Sequence, residues 1–274
     1  MDLITLCDGI QLPAEIREKV LTWHNTEEFS RAVPVLEGLK SMETEGRARA
    51  ELEEILEPDP GKIKMLTCML QCGADLHRWY GERGIPDTVF FGTMGCFTRF
   101  IEECRVKTGT RAFDREWWTA RQVSGRLFRI GELEYEMKQT EDGNQISIHI
   151  PSDAVLSREK CDASMEEAKA FFSGYFPEYR EKDYVCHSWL LGPELKELLP
   201  PGSRILEFQD RFRILEVDYR DDGYVEWVFK RNDACIRDFP EDTLLQRNMK
   251  RYLLAGGKIG SGFGVVKIAE GKQV

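Results

Sequence analysis

The hydrophobic period of the chain changes once, near residue 115, and that change calls for two differently built parts. From residue 13 to about 108 apolar side chains recur every three or four positions, as on a buried helix face. Beyond "REWWTARQ" they alternate with polar ones, as on a half-buried strand. The expected architecture is therefore α+β, an N-terminal α-helical bundle over residues 1–120 followed by a mixed α/β domain over residues 121–274. At 274 residues the chain is long for one compact unit and comfortable for two.

In the first part, "LPAEIREKVLTWH" opens a helix at Pro13 with Ile16, Val20 and Trp23 on one face. "TEEFSRAVPVLEGLK" continues as a second helix, with Pro34 as an expected kink. "TEGRARAELEEILEPDPG" is a third that stops at Pro58, Pro60 and Gly61. The next helix buries positions 65, 69, 72, 76 and 79 or 80. After Pro86 a further stripe runs through Phe90, Met94, Phe97, Ile101 and Cys104.

In the second part, alternation on both sides of Asp142 and Gly143 predicts a β-hairpin, with Gly131 shifting the phase as a bulge does. "DASMEEAKAFFSGYF" reads as a helix whose Ser164 and Glu167 have capping-box spacing. A strand over 184–191 and a short helix in "GPELKELLPPG" follow. Then come three strand-like runs, "SRILEFQ", "RFRILEVDY" and "YVEWVFK". The helix "EDTLLQRNMKRYLLAGG" has Asp242 or Thr243 at its N-cap and Gly256 as its stop, and "GFGVVKIA" is a last strand.

Charge narrows the partners. With 38 basic and 48 acidic residues the chain carries −10, which disfavours nucleic acid and anionic membranes as general partners. The start "MDLITLCDGIQLPAEI" lacks the features of a signal peptide, and no run reaches about 18 apolar residues, so a cytoplasmic location is expected. Eight cysteines include no CxxC pair. Cys68 and Cys72 with His77 would make half a metal site at most, so no metal is expected.

Five motifs occur in order: "HIP" at 149–151, "FFSGYFPEY" at 171–179, "CHSWLLGPEL" at 186–195, "LPPGSRILEFQDRF" at 199–212 and "DTLLQR" at 242–247. Together with "WWTARQVSGRLFRIGELEYE" at 117–136, this series resembles the bacterial acyltransferase-domain family that joins a helical N-acyltransferase N-terminal domain to a GNAT-like C-terminal domain. The resemblance implies a GNAT-type fold and transfer of an acyl group from a donor thioester, acyl-CoA or acetyl-CoA, to a small-molecule amine. GNAT enzymes usually hold the donor's pyrophosphate on an Arg/Gln-x-x-Gly-x-Gly/Ala turn at a helix N-terminus. After "YVEWVFK" this chain has "RNDACIRDFPEDT", with no glycine and four acidic residues.

Candidate catalytic residues are Cys186, His187 and His149. On a regular strand Cys186 and His187 point to opposite faces, so a nucleophilic pair between these neighbours is disfavoured; another base, such as His149, would have to activate the thiol. Direct transfer needs only a positioned thioester and a base titrating near neutrality, a role open to His149 or His187 as alternatives to structural hydrogen bonding. Candidate cofactor-binding residues are Arg211, Thr243, Gln246 and Arg247, with Lys258, Gly260 and Gly262 in "GGKIGSGFG". For Thr243, Gln246 and Arg247 helix capping competes with anion binding. For the glycines, backbone geometry competes with a phosphate cradle. Two other readings stay open: a non-catalytic binding module on the same scaffold, and an acyl-carrier-protein donor, which needs a basic docking patch.

Overall fold

A computed structural model describes residues 1–231 and 235–267. The chain divides into two compact units, Met1–Ile130 and Gly131–Val274.

The first unit consists of α1 (Leu3–Gly9), α2 (Ala14–His24), α3 (Glu27–Leu39), α4 (Glu45–Leu56), α5 (Ile63–Arg83), α6 (Asp87–Met94), α7 (Cys96–Thr108), α8 (Glu116–Val123) and a short strand, β1 (Leu127–Ile130). Its middle is α5, which packs against α1, α2, α3, α4, α6 and α8. Apolar residues explain that position: Met65, Leu66, Met69, Leu70, Cys72 and Tyr80 are all buried, so most of the circumference has to be covered. Gly84 closes α5 at φ +70°, the left-handed conformation that suits glycine. The stripe from Phe90 to Cys104 is buried as expected, but it spans two helices that part at Gly95. Helix α3 runs through Pro34.

The second unit contains β2 (Leu133–Thr140), β3 (Gly143–His149), α9 (Arg158–Tyr175), β4 (Tyr184–Ser188), α10 (Leu195–Leu198), α11 (Arg204–Gln209), β5 (Phe212–Asp218), α12 (Tyr224–Phe229), α13 (Leu244–Leu254) and β6 (Ser261–Val266). Its strands lie in the order β2-β3-β4-β6-β5. The β2–β3 hairpin is present as expected, but its two-residue turn is Glu141 and Asp142, one residue earlier, with Gly143 opposite Thr140 as the first residue of β3. The β4–β6 and β5–β6 pairs are antiparallel, whereas β3 and β4 run parallel and are joined by α9.

Several expectations are corrected here. "SRILEFQ" and "YVEWVFK" are helices α11 and α12. Ser203 caps the first through the Leu206 N–H, and the buried set Val225, Val228 and Phe229 of the second has helical, not alternating, spacing. The helix through Ser164 starts earlier, at Arg158, with Ser157 as its N-cap. Ser164 is instead buried one and a half turns in, where its Oγ meets the Tyr135 hydroxyl at 2.9 Å and accepts the Leu133 N–H at 3.3 Å. Gly131 is a turn residue at φ +59° rather than a bulge; a Cβ there would lie 3.1 Å from the Ser164 Cβ, so glycine lets α9 approach β2. The strand expected over 184–191 ends at Ser188, whose Oγ accepts the Leu190 N–H and starts a 3₁₀ turn. The last strand begins at Ser261, and residues 268 and 269 of the expected run lie outside the described residues.

Two packed layers follow. Helix α9 lays Ala168, Phe171 and Phe172 on the sheet, where Phe172 meets Tyr135 and Tyr184 edge-on. Helices α10, α12 and α13 enclose a second core around Leu195, Val228, Phe229, Phe239 and Met249.

Candidate active site

The site begins where β3 and β4 part. Their parallel ladder has two rows, Ile146 opposite Tyr184 and Ser147 opposite Val185. Past that point each strand stays tied to its outer neighbour, His149 opposite Glu134 on β2 and His187 opposite Phe263 on β6. The result is a fork at the carboxyl ends of the one parallel pair among the described residues, from which the chain leaves β3 towards its crossover helix α9. Ligands of α/β sheets enter at such openings.

Counting two residues on from the paired Ser147 and Val185 puts His149 and His187 on the same sheet face, one on each arm of the fork. Their surroundings differ. His149 is partly buried, with Nε2 donating to Glu136 Oε2 at 2.9 Å, and Glu136 itself is buried. His187 is exposed and lines an open cavity of about 470 Å³ together with Glu216, Asp218, Arg220, Ser261 and Phe263. Arg220 grips Asp218 through Nε and Nη2 at 2.9 and 3.1 Å, and that hydrogen bonding holds the Asp218 carboxyl below the usual range.

Cys186 points the other way. It is fully buried, and burial pushes its thiol up to about 12, opposite to what a nucleophilic thiolate needs.

The expected cofactor-binding residues do not converge. Arg211 stands just before β5 and ties the first turns of α9 to α11, donating to Asp162 Oδ1 and Arg158 O on α9 and to Glu207 O on α11. Thr243 and Gln246 form a reciprocal capping box on α13, and Gln246 Nε2 also donates to Val228 O, so their polar atoms are occupied by the fold. Arg247 donates to the carbonyls of Glu241 and Asp242. Lys258 is exposed. Gly260 and Gly262 are filled positions: a Cβ on Gly260 would lie 2.3 Å from Val217 Cγ1, and one on Gly262 would lie 2.5 Å from Leu191 O. Tight packing explains both glycines without a phosphate.

The run "YVEWVFK", whose following segment was the expected anion-binding turn, is helix α12 and has no place in the parallel crossover. Residues 232–234 of the segment that follows lie outside the described residues. The corresponding turn runs from His149 to the Ser157 cap of α9, through "IPSDAVL", and it too lacks glycine. The Val155 N–H in this turn donates to Glu132 Oε2 at 2.8 Å, and Lys160 Nζ meets Glu132 Oε1 at 2.6 Å.

Sequence reasoning missed Glu216, Asp218, Ser261 and Phe263. The signal was present in the alternation of "LEVD" and "SGF", which places two carboxylates on one strand face and a hydroxyl and a ring on the next.

Residues 127–266 match the family described as GNAT-like C-terminal domain, and residues 1–125 match the N-acyltransferase N-terminal domain. The chain belongs to the family that joins these two domains, as the ordered motifs implied. No curated protein matches it. Among solved structures, an acyltransferase in complex with decanoyl-CoA and teicoplanin shares 23% identity with a TM-score of 0.80, covering 96% of this chain and 86% of that one. A mutant acyltransferase in complex with octanoyl-CoA shares 21% with a TM-score of 0.81, covering 96% and 87%. These likenesses establish the acyltransferase fold. No helix among the described residues is long and apolar enough to cross a membrane.

Proposed function

We propose that this protein is an N-acyltransferase that moves an acyl group from a coenzyme A thioester directly to the amine of a small molecule. The observation that carries the reading is the fork between β3 and β4, with His187 on one arm facing an open cavity. Where the ladder stops, the facing edges of two strands can pair with the amides of an extended pantetheine arm instead of with each other. The pyrophosphate then falls at the N-terminus of α9, where the first-turn amides left over by the Ser157 cap and the dipole favour an anion, in competition with the Glu132 carboxylate. Arg158 and Lys160 lie in that first turn, and Arg211 braces it. The structurally similar acyltransferases bind decanoyl-CoA and octanoyl-CoA, which supports a thioester donor of this kind.

In the reaction His187 takes a proton from the acceptor's ammonium group. The neutral nitrogen attacks the thioester carbonyl carbon, the C–N bond forms and the C–S bond breaks. Coenzyme A leaves as thiolate and takes the proton from the imidazolium, while the second amine proton passes to solvent. Thioester and ammonium thus yield amide, free thiol and one proton. No acyl-cysteine is required, in keeping with the burial of Cys186.

Calorimetric titration with octanoyl-CoA and with coenzyme A tests the donor half. Micromolar binding that Arg211→Ala weakens and Arg247→Ala leaves alone is expected. No heat, with an unchanged melting temperature at millimolar ligand, contradicts it.

A further inference from the structure

The cavity beside His187 contains two polar groups that the fold does not use. Ser261 is only 1% exposed, and its Oγ makes no hydrogen bond, although a buried hydroxyl without a partner is costly. It lines the cavity, and a serine hydroxyl reorients about a single bond. The Glu216 carboxylate, by contrast, is exposed and makes neither a hydrogen bond nor an ion pair among the described residues. The other carboxylate, Asp218, is already gripped by Arg220. Two carboxylates against one guanidinium leave the lining with one net negative charge, and Glu216 is where it is uncompensated. Arg213 shares the sheet face, opposite Val265, but does not line the cavity.

Register places these groups in order. His187 and Glu216 both stand opposite Phe263, one on each side, and Ser261 lies two residues along β6, opposite Asp218. A carboxylate, an aromatic ring and a hydroxyl acceptor on one sheet face make a receptor for a cation rather than for a neutral or anionic group. Resting on the direct-transfer reading, we propose that this cavity is the acceptor site and that it selects aliphatic amines in their protonated form. Glu216 holds the ammonium over Phe263, and Ser261 Oγ accepts one of its N–H bonds within reach of His187.

The test is binding without donor. Benzylamine and phenethylamine are titrated against the full-length protein by ligand-observed NMR, beside benzyl alcohol and 2-phenylethanol as neutral isosteres. The amines should bind about five-fold more tightly than the alcohols, a margin typical of one exposed ion pair with a ring contact. Glu216→Gln should erase that margin. Ser261→Ala should weaken the amines while leaving the melting temperature equal or higher, because it removes an unpartnered buried hydroxyl; a merely structural serine would lower it. Equal binding of amines and alcohols, no amine binding at millimolar concentration, or a margin that survives Glu216→Gln overturns the proposal. The two readings fail separately. Glu216-dependent amine binding without acyl transfer removes the enzyme and keeps the site. Acyl transfer whose amine KM is unmoved by Glu216→Gln keeps the enzyme and removes the site.

Discussion

His187 and Glu216 occupy one row of the sheet, on β4 and β5, with Phe263 of β6 between them. An imidazole and a carboxylate thus face the same cavity across a single aromatic ring, one strand away from the fork where β3 leaves β4.

Cys186→Ala should leave acyl transfer intact within about three-fold, and iodoacetamide should not inactivate the native protein at pH 7. Burial pushes the thiol from the ordinary 9.0 up to about 12, so almost none is thiolate at neutrality. The same shift makes a pH statement. Stability from this group is fully present below about pH 9 and is lost as pH rises towards about 12, because only the unfolded chain ionises in that window. Denaturant midpoints of wild type and Cys186→Ala measured between pH 8 and 11 check the sign.

Thr243→Ala should cost about 1 kcal/mol, since the hydroxyl serves the N-cap of α13 and the Gln246 side chain returns the bond. Donor affinity should be unchanged. Urea denaturation and donor titration of the one variant separate a cap from a cofactor ligand.

Gly262→Ala should destabilise by about 1–3 kcal/mol, because its Cβ would sit 2.5 Å from the Leu191 carbonyl oxygen and 2.8 Å from the Leu191 Cβ. The loss should be the same with and without coenzyme A. A larger loss in its presence would assign the glycine to the donor.

Much of this was legible in the sequence. Period alone separated the helical part from the sheet, and the hairpin near Asp142 and Gly143 followed from turn chemistry. The capping reading of Thr243 was likewise available from residue type. What failed were short runs. Six residues such as "YVEWVF" satisfy either period, and the choice is made by the partners that bury Val225, Val228 and Phe229. With α12 taken as a strand, the anion-binding turn is expected after it instead of before α9. The fork itself could not be read, because it arises from where two strands distant in sequence stop pairing. Ser261 was hidden for a related reason: among glycines it reads as loop, and only its place between β4 and β5 makes its hydroxyl matter.

His187 is proposed to deprotonate an amine beside a thioester held at the fork. The most direct test is amine-dependent release of free thiol from octanoyl-CoA, followed with a thiol-reactive chromophore, in wild type and His187→Ala. A fall in kcat of about 10²–10⁴-fold is expected for His187→Ala, with donor affinity unchanged. Amine-dependent release that His187→Ala leaves at the wild-type rate would contradict it.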